Sequence, residues 1–214
     1  MDITWLGHAC FRLHSDDLVI LTDPYPSSLG LKPETRPATV VTVSNSHPNH
    51  SCWQDVAGEP KVFTTPGEYE YSGISVRGVM TPLPLESPGN PRNVAYSIEL
   101  DGVNICHMGH IAQPLATRQV EELSPVDVLI VPTGGVSTLT LDQVIQIMHD
   151  LEPKIVIPMQ YGNNGDGVSL QGVDVFLRKM GLSEIQPQNR LIATNSNLPT
   201  DMKVVLLAPH AKAV

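Results

Sequence analysis

A dense series of short strand-like segments fills the first half of the chain, and a chain built this way has several sheet faces to cover. The predicted strands are Ile3–Leu6, Cys10–His14, Leu18–Thr22, Val40–Val43, Lys61–Thr64, Ile74–Val79, Val94–Leu100 and Val103–His107. Short apolar or alternating runs bounded by polar and turn-forming residues are strand signals. Asp101-Gly102, between the last two, is a hairpin turn.

The second half supplies the cover. Thr117–Leu123 reads as a short helix and Val128–Val131 as a strand. Thr140 followed by Gln143 is a capping box, after which Leu141, Val144, Ile145, Met148 and Leu151 recur at helical spacing up to Pro153. Lys154–Ile157 is a predicted strand. Val173, Phe176, Leu177 and Met180 mark a further helix that Gly181 stops, and Val204–Leu207 is a last strand. Many strands first and mixed elements later imply sheets covered by helices. With 214 residues and no repeat or linker, one domain over residues 1–214 is expected.

Charge and cysteine usage narrow the function classes. A net charge of −9 argues against a nucleic-acid or anionic-membrane partner, while leaving room for a local cationic pocket. Cys10, Cys52 and Cys106 have no Cys-x-x-Cys spacing, which argues against a disulfide framework or zinc ribbon and fits a reducing cytoplasm. The first residues lack an apolar core, so no signal peptide is expected, and no run is long enough to span a bilayer. A small-molecule ligand and a homo-oligomer both stay open.

The chemistry concentrates in Val40 to Cys52, where an apolar strand runs out into a polar stretch carrying His47 and His50. Imidazole is a good zinc donor, although two histidines in a loop read equally well as solvated residues. Thr4-Trp5-Leu6-Gly7-His8-Ala9-Cys10-Phe11, Thr22-Asp23-Pro24, Thr65-Pro66-Gly67-Glu68-Tyr69-Glu70, Cys106-His107-Met108-Gly109 and Pro158-Met159-Gln160-Tyr161 extend the pattern nearly end to end. Together they resemble the metallo-β-lactamase superfamily, and within it the bacterial branch of small metal-dependent hydrolases related to the ascorbate-6-phosphate lactonases. The resemblance implies an α/β fold, a four-layer αββα sandwich.

It also implies a dinuclear metal loop of the form His-x-His-x-Asp-His, from which this chain departs. Asn45 stands at the first histidine position and Asn49 at the aspartate, while His47 and His50 are kept. A further ligand histidine aligns with Leu83. His110 replaces the bridging aspartate, and Gln160 replaces the final histidine. In the family the counterpart of Asp23 supports the metal loop, and that of His8 approaches the site. His107 reads as structural.

Two zinc ions bring four positive charges that carboxylates normally offset, and here the ligand positions hold amides and a leucine. Three readings follow. The chain is a divergent family member without dinuclear hydrolysis; or a mononuclear zinc hydrolase on His47, His50 and His110; or a metal-free acid–base enzyme or ligand-binding module on the same cleft. The cofactor expectation is accordingly none, or a single zinc ion. Since the core pattern needs no metal, chelator should leave the unfolding midpoint nearly unchanged. A large drop would reveal a structural ion, because metal bound to the native state adds directly to stability.

Overall fold

A computed structural model describes residues 1–82, 92–162, 170–183 and 185–210. In chain order the first strands are β1 (Asp2–Gly7), β2 (Cys10–Ser15), β3 (Leu18–Thr22), β4 (Val40–Thr42) and β5 (Lys61–Phe63), with the one-turn helix α1 (Pro48–Ser51) between the last two. Then come β6 (Gly67–Tyr71), β7 (Ile74–Pro82), β8 (Arg92–Leu100) and β9 (Val103–His107). The rest alternates: α2 (Thr117–Leu123), β10 (Val128–Pro132), α3 (Leu141–Leu151), β11 (Ile155–Met159), α4 (Val173–Lys179), β12 (Leu191–Ile192) and β13 (Lys203–Val204).

These strands make two sheets. One has six strands in the order β12-β1-β2-β3-β4-β5, and the other seven in the order β13-β11-β10-β9-β8-β7-β6. The sheets face each other across the main core, to which Ile3, Phe11, Leu13 and Ile20 contribute from the first and Tyr96, Ile98, Ile105 and Ile157 from the second. The Tyr96 hydroxyl lies 3.1 Å from the Val43 carbonyl and 2.9 Å from that of Phe63, so one buried side chain ties the two layers together.

The outer faces are covered differently. On the second sheet Leu123 of α2, Val144, Ile147, Met148 and Leu151 of α3, and Phe176 and Leu177 of α4 pack onto Ala95, Cys106, Leu129 and Val156. On the first sheet the cover is irregular chain that presses Tyr25, Leu29 and Val56 onto Cys10, Leu21 and Val41. No helix among the described residues is long and apolar enough to cross a membrane.

The predicted elements are present, with ends shifted by a few residues. The Asp101-Gly102 turn has φ of 55° and 69°, the left-handed pair that a two-residue hairpin requires. Three elements carried no usable signal. β6 reads Gly-Glu-Tyr-Glu-Tyr and is mostly exposed at a sheet edge, so it has no apolar face to detect. α1 has a single turn, and β12 has two residues. The run Gly162-Asn163-Asn164-Gly165-Asp166-Gly167 reads in the sequence as a mobile loop at the rim of the site; its residues 163–167, and Leu83, lie outside the described residues.

The expected capping box closes the start of α3 in both directions. Gln143 N–H donates to Thr140 Oγ1 at 3.3 Å, and Thr140 N–H donates to Gln143 Oε1 at 2.9 Å. Thr140→Ala removes the side-chain half, and an expected loss of about 1 kcal/mol follows. Urea unfolding should show a lower midpoint at unchanged slope; a changed slope would mean that α3 itself is lost.

Candidate functional site

The site lies where several strands end, which is where open α/β sheets place ligands. His8 follows β1, Asp23 follows β3, Ser44 comes soon after β4, His110 follows β9 and Gln160 follows β11. A register shift between Trp5 and Gly7 bends the end of β1. His8, Asp23 and Gln160 have φ of 50°, 38° and 50°, left-handed values that L residues adopt at some cost. Gly134 makes room for one of these turns, since a Cβ there would lie 2.1 Å from the Gln160 carbonyl oxygen.

Asp23 organises the floor. Fully buried, it accepts Ser44 N–H at 2.7 Å on Oδ1, and Ser44 Oγ–H at 2.5 Å on Oδ2. Oδ2 also accepts His50 Nδ1–H at 2.8 Å. That bond fixes the His50 tautomer and directs the lone pair of Nε2 inward. Burial, then the neighbouring His110, His47 and His107, push His50 well below the ordinary histidine pKa. The contact with Asp23 is therefore a hydrogen bond from a neutral ring rather than an ion pair. Burial raises the Asp23 carboxyl, opposed by His107 and by the Ser44 hydrogen bonds.

Gln160 fills the middle. Its amide nitrogen is 3.3 Å from His8 Nε2, 3.3 Å from His50 Nε2 and 3.5 Å from His110 Nδ1. His8 Nε2 and His50 Nε2 are themselves 3.3 Å apart. One carboxamide thus offers its two N–H donors to a ring of imidazole nitrogens. Protonating an inward-facing nitrogen would set N–H against N–H. Burial, followed by His50, His110 and His47, lowers His8 strongly, and burial also lowers His110, against the pull of Asp23. Gln160 Oε1 and His8 Nδ1 are buried without a hydrogen-bond partner among the described residues.

The other candidates have different positions. His47 is exposed; its Nδ1 accepts Asn49 N–H at 3.2 Å as the N-cap of α1, and its ring centroid is 6.4 Å from that of His50. Asn45 turns the loop, accepting His47 N–H on Oδ1 at 3.0 Å and donating to Ser44 Oγ at 3.2 Å. The half-exposed Asn49 enters through its backbone. His107 donates to the Ala9 carbonyl at 2.9 Å, an anchoring role away from the cluster. Among the described residues, no group of three or more His, Cys, Asp or Glu side chains is arranged to hold a metal ion.

Two supporting residues went unread in the sequence. Ser44 supplies two of the donors to Asp23. Asn93, fully buried in β8, accepts His110 N–H at 2.8 Å and donates to Met108 O and Thr81 Oγ1, both at 2.8 Å. An amide directly before the apolar run Val94-Ala95-Tyr96 is the one signal that could have found Asn93.

The β-lactamase superfamily domain model matches residues 2–160. A UPF0173 metal-dependent hydrolase of Methanoculleus marisnigri is 30% identical, over 75% of this chain and 81% of its own length. One from Carboxydothermus hydrogenoformans is 27% identical, over 75% and 84%. The crystal structure of a Thermotoga maritima protein, assigned to the metallo-β-lactamase superfamily as a Zn-dependent hydrolase, superposes with a TM-score of 0.79. It is 32% identical and covers 96% of this chain and 97% of that one. The relatives include archaeal proteins, so the likeness extends beyond a bacterial branch.

The neutral cluster predicts a pH dependence. His8 and His50 are lowered on folding, so the unfolded chain binds more protons below about 6.5. Stability is full above that value and is lost as pH falls, by at most about 1.4 kcal/mol per pH unit for each ring. Asp23 is raised, so its contribution has the opposite sign: it is present below the unfolded carboxylate pKa and is lost as pH rises through the higher folded one. Melting temperatures from pH 7.5 to 5 should fall. His8→Asn, which tolerates left-handed backbone, should flatten that slope. An unchanged slope would show that His8 titrates freely.

Proposed function

The chain belongs to the metallo-β-lactamase superfamily, and we propose that it is a divergent member that keeps the family cleft as a ligand-binding site without two-metal hydrolysis. The carrying observation is the Gln160 amide nitrogen, seated 3.3–3.5 Å from His8, His50 and His110. A carboxamide hydrogen-bonded at the meeting point of the imidazoles takes the place a shared ion would need.

The donor set supports the same reading. Two divalent ions bring four positive charges, and a bridging carboxylate both offsets them and orients the nucleophilic water. The family position of that carboxylate holds His110. Asp23, the carboxylate nearest at hand, is committed to Ser44 and His50. Asn45 is spent on turning its own loop. The residues present do not fit a dinuclear centre.

What the chain's own groups can do is hold a polar ligand. His50 is fixed in one tautomer by Asp23, and the partly exposed His110 connects the buried cluster to solvent. The convergence of imidazole nitrogens also supports a second reading, a single zinc ion on histidines, if Gln160 turns away.

Metal content after dialysis of the purified chain separates these. Close to zero is expected; one ion per chain would favour the single-zinc reading, and two held tightly would overturn the proposal. The converse experiment restores donors with Asn45→His, Leu83→His, His110→Asp and Gln160→His together. The family resemblance assigns these positions to one site, so single changes should do little and the combination should bind close to two zinc or manganese ions. A folded combination that binds no more metal than the parent would show that more than the donors differs from the family site.

A further inference from the structure

A second polar site lies on the outer face of the first sheet, at the end away from the histidine cluster. Alternation puts Ile3 and Leu13 into the core at 0% exposure and leaves Asp2, Thr4, Arg12 and His14 on the opposite face. β1 and β2 pair Asp2 with His14 and Thr4 with Arg12, so the four form one patch. Arg36 arrives from the segment between β3 and β4, and Arg190 and His210 arrive from the C-terminal part. Together they enclose a cavity of about 500 Å³.

The charge balance is unusual for a chain of net charge −9. Three guanidinium groups share this cavity with the Asp2 carboxylate, and Glu34 stands beside it. Glu34 is held by Arg36 at 2.5 Å and lies 3.9 Å from Arg12 Nη1. Asp2 lies 3.1 Å from Arg190 Nη1. One positive charge is left over before either histidine is counted.

Arg12 is the informative member. Its side chain is only 16% exposed, and Nη2 donates to the Pro37 carbonyl at 2.9 Å. Its Nη1 is buried with no hydrogen-bond partner among the described residues. Burial, then the adjacent Arg36 charge, makes this guanidinium easier to deprotonate than an exposed one, with Glu34 opposing. Nη1 lies 3.9 Å from Glu34 Oε2 and is closed to the pocket, so Arg12 acts there through its charge, which Glu34 offsets in part.

We propose that this cavity binds a phosphate-bearing small molecule, with Arg12 as the buried anchor and Arg36 and Arg190 as flanking cations. A carboxylate is planar and accepts one guanidinium fork well. A phosphate group offers oxygens in several directions and carries more charge, which suits cations converging from separate segments. Thr4 to His8 spans four residues of chain, roughly 13 Å at about 3.3 Å per residue, so the two sites are distinct. Trp5 stands between them: its carbonyl accepts His210 N–H at 2.8 Å, and its indole N–H donates to the His8 carbonyl at 3.1 Å.

Calorimetric titration of the full chain at low salt, with inorganic pyrophosphate as the probe and citrate as the comparator, tests this. One pyrophosphate site is expected, at least tenfold tighter than citrate. Arg190→Gln, at an exposed position that also frees Asp2 to repel the anion, should weaken it tenfold or more. Arg12→Gln, which removes the buried charge, should do likewise; should it not fold, Arg190→Gln decides alone. His110→Ala should leave binding unchanged. The proposal is overturned by absent heat at millimolar pyrophosphate, by citrate binding as tightly, by retention in Arg190→Gln, or by loss in His110→Ala.

Discussion

The buried carboxylate of Asp23 is the constraint on which the site depends. At 0% exposure an acidic group must have each oxygen satisfied, or its burial costs several kcal/mol. Asp23 meets that demand with Ser44 N–H, Ser44 Oγ–H and His50 Nδ1–H. Each bond positions something else: the Ser44 pair fixes the chain leaving β4, and the His50 bond fixes a ring on α1. With His50 held, its Nε2 has one direction in which to point, and Gln160 and His8 are the groups that meet it. A serine and a histidine, 21 and 27 residues along the chain from Asp23, thus owe their placement to one side chain.

That arrangement is maintained against backbone strain. His8, Asp23 and Gln160 adopt left-handed backbone, each at a cost of order 1–3 kcal/mol. The cost is tolerated because the strands on which these residues sit are set by packing elsewhere. Ile3, Ile20 and Ile157 are fully buried in the core between the sheets and belong to the strands that end in His8, Asp23 and Gln160. A hydrogen bond from Gln160 N–H to the His8 carbonyl, at 3.3 Å, joins two of the strained residues across the sandwich.

The fold was legible in the sequence because its helices bury one side each and its strands show either alternation or, as in β10 and β11, short wholly apolar runs. β1, with Ile3 and Trp5 inward, and α3, with its capping box, could be read directly. β6 could not, because an edge strand with charges along it shows no periodic burial. The site was legible in its members and not in its grouping. His50, His110 and Gln160 were named from the family likeness, and the structure brings them together. His8 belongs with them for a reason no spacing reveals, the bend at Gly7 and the partners waiting beyond it. His47 is a kept histidine of the metal-loop pattern in sequence, yet serves as a helix cap facing solvent. Arg12, Arg36 and Arg190 are scattered along the chain, and only the closing of the first sheet's outer face collects them.

The core and the site are separate, so polar groups of the site can differ without loss of the fold. The two sheets meet through side chains in the middles of strands, while His8, Asp23, His110 and Gln160 lie on the segments after the strands end. A change there alters polar contacts at the rim and leaves the apolar burial intact. Buried polar atoms must still be satisfied, and imidazole lone pairs that face one another need donors. Gln160 supplies them: its amide N–H groups face nitrogens of His8, His50 and His110. On the reading proposed above, that carboxamide sets what the histidines are arranged around, and hence which single changes could admit a metal.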